Sequence, residues 1–159
     1  MLNGVGCTDI AGVGNRGNPN SFANCFNVTE FGALIPFSVE SVRFFTGEPI
    51  PLPPDLKIRV WDGTTTDGPT GDPLLTQEIF GYVFGENNFA LDEPLEIGTE
   101  QVCIGLFSEA PTAGLRIRGE ESTGLLSYLK APVCGAPEFV TSASIGLPVN
   151  LCIEAHVFG

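Results

Sequence analysis

The chain has 159 residues, 43% hydrophobic and 16% charged, which suits one domain with a real core and excludes a disordered chain. Its 19 acidic against 7 basic residues leave a net charge of −12, so it lacks the basic footprint that nucleic-acid phosphates demand and is repelled by anionic membrane surfaces. No stretch approaches the ~18 consecutive apolar residues of a membrane-spanning helix, and the expectation is no membrane insertion.

The start, MLNGVGCTDIAG, lacks the basic region and apolar core of a signal peptide. Residues 1–30 are dense in Gly and Asn, which favour turns, and read as a loop-rich N-terminal segment packed on or extending from the domain. Residues 31–159 read as the domain itself. Asn27-Val28-Thr29 is a glycosylation sequon, common by chance.

Beyond the start, apolar and polar residues alternate with the period of a half-buried strand. Ser41–Phe45, Leu56–Trp61, Leu74–Phe80, Asn88–Leu91, Gln101–Phe107, Leu115–Arg118 and Leu151–Val157 are the strand expectations. Ser122–Leu129 reads as a strand or a single helical turn. Gly (20) and Pro (13) lie scattered between these runs, as in a turn-rich β-protein. No long segment carries a 3.6-residue period with caps. The fold expected is all-β: a single-domain antiparallel β-sandwich, jelly-roll-like or immunoglobulin-like.

Alternation also assigns faces. With Val42, Phe44, Ile58, Val60, Leu115 and Ile117 pointing inward, Arg43, Lys57, Arg59, Trp61, Arg116 and Arg118 point outward. The bases then lie in mid-strand and the acids mostly in loops and at strand ends. That is an ordinary solvated arrangement, or a basic face that meets the acidic loops of a neighbouring subunit.

The order Val42-Arg43-Phe44-Phe45, Ile58-Arg59-Val60-Trp61-Asp62-Gly63, Leu74-Leu75, Phe89 through Ile97, then Cys103-Ile104-Gly105-Leu106 resembles the jelly-roll-like β-sandwich modules of large secreted bacterial surface proteins. The resemblance covers roughly residues 35–159. It implies a fold and a setting beside adhesion, carbohydrate-binding or peptidase domains, and no shared catalytic set.

The cysteines are Cys7, Cys25, Cys103, Cys134 and Cys152, without a CxxC pair, so a zinc ribbon or thioredoxin-like centre is not indicated. Wide spacing points to disulfides and an oxidising compartment, against the alternative of buried free thiols. Cys7 bridged to Cys25 is the expected staple of the N-terminal segment. Cys134 and Cys152 are further candidates, and the odd number leaves at least one thiol free or paired between chains.

Catalytic signatures are absent from the sequence. The single histidine, His156, sits near the end of the chain, and no GxSxG elbow occurs. The acids are plentiful, but sugar hydrolysis also wants aromatic platforms, and the chain has one Trp and two Tyr. Asp62, Asp67 and Asp72 cluster in a Gly-rich loop and are the candidate ligands for Ca²⁺, a cation that takes oxygens from such loops; a polar hairpin gives the same pattern. Trp61, with Lys57 and Arg59 on its face, is the candidate recognition site, provided that the N-terminal segment does not cover it.

The expected function is therefore a non-catalytic, secreted module that binds a glycan or a cell-surface protein. The alternative is a self-assembling subunit of an extracellular filament, sheath or coat, with copies of itself as partner.

Overall fold

The structure, a computed structural model, describes residues 11–13, 19–46, 56–109, 117–121, 127–132, 135–147 and 149–159. Two six-stranded antiparallel sheets pack face to face. The first holds β1 (Ala11–Val13), β3 (Phe37–Thr46), β6 (Gly85–Ile97), β8 (Ile117–Glu121), β11 (Val149–Leu151) and β12 (Ile153–Phe158). The second holds β2 (Asn20–Asn27), β4 (Lys57–Thr64), β5 (Gly68–Glu78), β7 (Gln101–Ser108), β9 (Ser127–Ala131) and β10 (Ala136–Thr141), in the order β10-β9-β2-β7-β4-β5.

In the first sheet β3 lies between β6 and β12, and β8 joins the end of β3 through Thr46 and Ile117. The chain changes sheet at every step except β4 to β5, β9 to β10 and β11 to β12, with β2-β7-β4-β5 adjacent in one sheet and β3-β6 in the other. That alternation makes the sandwich jelly-roll-like.

The core forms because the alternation holds. Val42, Phe44, Ile58, Val60, Ile104, Leu106 and Ile117 are fully buried between the sheets. Arg43, Lys57 and Arg59 face outward and are half-buried. Leu115 and Arg116 lie outside the described residues.

One polar group crosses the core. Asn24 of β2 donates through Nδ2 to the carbonyls of Leu151 (2.7 Å) and Ile153 (2.9 Å), and its Oδ1 accepts from Ser127 Oγ at 2.6 Å. Ser127 Oγ accepts in turn from the Leu151 amide at 2.7 Å. The bonds tie the second sheet to the place where β11 and β12 are interrupted at Cys152.

Three expectations change. Residues 20–27 read as loop because Asn and Ser dilute the alternation, yet they form β2, a central strand between β7 and β9. The cysteine pairing differs as well: Cys25 bridges Cys103 directly across β2 and β7, not Cys7. Cys152 is a buried free thiol rather than a disulfide cysteine, because the other two described cysteines, Cys25 and Cys103, are bonded to each other. Cys7 and Cys134 lie outside the described residues.

Candidate functional site

The outer face of the second sheet carries a small core of its own. Ala23, Cys25, Trp61, Cys103 and Tyr128 pack there, against Phe139. Register explains the grouping: Cys103 lies opposite Cys25 on one side and Trp61 on the other. Beside that row run Ala23, Gly105 and Arg59, with no side chain at Gly105. A Cβ on Gly105 would strike the carbonyl oxygen of Phe22 and lie 2.8 Å from the Ala23 Cα, so only glycine fits.

A break in register between Val60 and Asp62 bends the β4–β5 hairpin over this face. The tip is held by Tyr128, whose hydroxyl donates to the Thr65 carbonyl at 2.9 Å. Gly68 packs against the Tyr128 ring with φ +79°, a left-handed conformation and a contact that both exclude a side chain. Burial, with Asp67 nearby, pushes the Tyr128 hydroxyl above its ordinary pKa.

β5 and β10, at opposite edges of the sheet, thereby approach each other across its outer face. Between them lies a groove of about 230 Å³. Its base is Arg59, Trp61 and Phe107, and its walls include Asp72 of β5 with Lys130 and Glu138 of β9 and β10. The Arg59 guanidinium carbon lies 3.8 Å from the centroid of the Phe107 ring, and Lys57 Nζ lies 6.0 Å from the same ring. Lys130 Nζ lies 5.8 Å from the Phe139 ring, which meets Trp61 edge to face at 5.4 Å. These are cation–π distances.

Arg59 is electrostatically unusual. Its Nε is enclosed and has no hydrogen-bond partner. Burial pulls its pKa below the ordinary arginine value, and Glu109 partly restores it. Among the described residues the ion pairs are those of Arg43, with Glu154 (2.7 Å) and Glu86 (3.3 Å). The outward arginine of the other sheet is thus neutralised within the chain, whereas Arg59 and Lys130 rest on aromatic rings.

The structure brings Trp61 and Arg59 into one groove and places Lys57 at its margin over Phe107. Trp61 does not serve as an open stacking platform, since only 2% of its surface is exposed. Its cover is Phe139, which sequence reasoning missed together with Lys130 and Glu138, because residues 127–141 carry little alternation. Phe107 ends a strand that the alternation marks, Gln101–Phe107, but its place over the groove depends on the pairing of β4 with β7.

The three aspartates are not gathered. Asp62 lines a separate hollow with Glu100 and Gln101, Asp67 sits in the turn where its amide donates to Thr64 Oγ1, and Asp72 faces the groove. Among the described residues no three His, Cys, Asp or Glu side chains are placed to share a metal ion. His156 is exposed, and Asn27 of the sequon accepts from the Thr29 amide and hydroxyl.

No family model and no curated protein sequence matches the chain. The fold does match a solved one: the crystal structure of the cysteine protease and lectin-like domains of Cwp84, a surface layer associated protein of Clostridium difficile. The likeness is one of fold. It has a TM-score of 0.64 at 12% identity and covers 88% of this chain and 32% of that one. The expected resemblance to β-sandwich modules of bacterial surface proteins holds at that level. The Cys25–Cys103 disulfide suits an oxidising compartment, and no described helix is long and apolar enough to cross a membrane.

Proposed function

We propose that this chain is a non-catalytic, secreted binding module that recognises glycans at the cell surface through the groove over Trp61. The observation that carries the reading is the groove's mixed lining. Arg59 and Lys130 lie on aromatic rings with no carboxylate at ion-pairing distance, and Asp72 and Glu138 stand on the walls. Such a site offers donors, acceptors and apolar ring surface together, which sugar hydroxyls and C–H faces require. The fold likeness to a structure that includes a lectin-like domain supports the same reading.

The test is a glycan array with the wild-type protein and the Lys130→Glu variant, which reverses charge in the groove wall. Binding that the variant loses is expected. Absence of binding to any glycan, or binding that the variant leaves intact, overturns the reading.

Apolar side chains at both ends favour a second reading, assembly into an extracellular filament, sheath or coat. Leu34 (71% exposed) and Phe158 (74%) lie at the end where β3 starts, and Phe80 (76%) and Val83 (55%) follow β5, with Val83 at the far end of β3 beside Thr46. Head-to-tail contacts of this kind produce open polymers. Light scattering across concentration checks it: growth in mass favours assembly, and a steady monomer rejects it.

A further inference from the structure

The geometry points to a ligand class for this groove: the carboxylate of an acidic sugar residue, held by Arg59 with Lys130 as the second cation. The inference rests on the groove being a glycan site and adds which glycans enter it.

A half-buried guanidinium is costly to desolvate and is normally repaid by a carboxylate or phosphate. Arg59 has neither, although arginine stays charged at any working pH. Its contact is the face of Phe107, at 3.8 Å. A guanidinium on a ring face keeps its N–H groups in its own plane, so the two terminal nitrogens, and not the enclosed Nε, are the ones left to meet a planar bidentate acceptor. A carboxylate is such an acceptor. The charge of Glu109 raises the Arg59 pKa, while the ion pairs among the described residues remain those of Arg43.

Size narrows the ligand further. The cavity, about 230 Å³, is smaller than the ~300–1,000 Å³ of pockets that enclose drug-sized molecules. It fits one ring at the end or branch of a chain better than an extended oligosaccharide. Asp72 and Glu138 are then placed to accept from ring hydroxyls, while the Phe139 edge of the groove offers apolar surface. Those two acids also discriminate, because they repel an anion that enters without its carboxylate directed at Arg59.

The net charge of −12 predicts an unusual salt response. Most anion sites weaken as salt rises. Here the long-range repulsion is screened first, over a Debye length of ~10 Å at 0.1 M, while the short Arg59 contact is screened less. Affinity is expected to hold or rise between low and about 0.1 M salt.

The experiment is titration calorimetry of the wild-type chain with a glucuronic-acid-terminated oligosaccharide and with the same oligosaccharide after carboxyl reduction to the alcohol. Binding at least tenfold tighter for the acid is expected, with most of that difference lost in Arg59→Gln and a smaller loss in Lys130→Gln. Equal affinity for the two ligands overturns the inference while leaving the glycan reading intact. Binding of neither, with no array glycan bound, overturns both. The ligand pair is compared on the wild-type protein, so the outcome does not depend on the variants folding.

Discussion

Asn24→Leu removes the polar bridge across the core while keeping the side chain near its original volume. Three hydrogen bonds are lost, and the carbonyls of Leu151 and Ile153 keep their burial. A net hydrogen bond is worth about 1 kcal/mol, and a buried group left unpaired costs about 1–3 kcal/mol. The gross loss is then about 4–6 kcal/mol, and the apolar leucine returns about 1–2 kcal/mol by burial. A net destabilisation of about 2–5 kcal/mol follows, which for a chain of this size lowers Tm by roughly 4–20 °C. Urea unfolding followed by circular dichroism measures it as a lower midpoint at unchanged slope. Ser127→Ala removes the partner of Asn24 Oδ1 and of the Leu151 amide, so it should cost less than Asn24→Leu. The double variant should lose less than the sum, since both single changes break the Ser127–Asn24 bond. An Asn24→Leu protein as stable as wild type, or strictly additive variants, would refute the reasoning.

Three further outcomes are expected. Cys25→Ala with Cys103→Ala opens a cross-link spanning 78 residues, which chain entropy values at about 4–5 kcal/mol; non-reducing and reducing melts should differ for wild type and coincide for the double variant. Tyr128 has a raised folded pKa, so its contribution to stability is fully present below the unfolded value and is lost as pH rises through the folded one; stability should fall above about pH 10, and Tyr128→Phe should remove part of that slope in alkaline urea titrations. With Asp62, Asp67 and Asp72 dispersed, the melting temperature should be the same in chelator and in millimolar Ca²⁺, since a ligand of the folded state would raise it; a clear rise would locate a site outside these placements.

The alternation of Val42 with Phe44 and of Ile58 with Val60 already determined the strands, the inward face and hence the sandwich. A period of two leaves each side chain only one face to occupy, and water decides which. The same rule put Arg59 and Lys57 on the outside. Tertiary structure decided everything that depends on which strands become neighbours. Cys25 meets Cys103 only because β2 and β7 pair, a contact between distant segments that local pattern does not encode. Asn24 looks like a loop residue until the opposite sheet supplies two carbonyls for its amide, and the role of Ser127 emerges only when its hydroxyl meets Asn24 and the Leu151 amide. Trp61 has an outward position in sequence, yet the curl that carries Phe139 over it makes it the base of a groove rather than an exposed platform. The groove itself exists because a bulge after Val60 bends one hairpin over the outer face toward β10, and the side chains that meet there come from strands far apart along the chain.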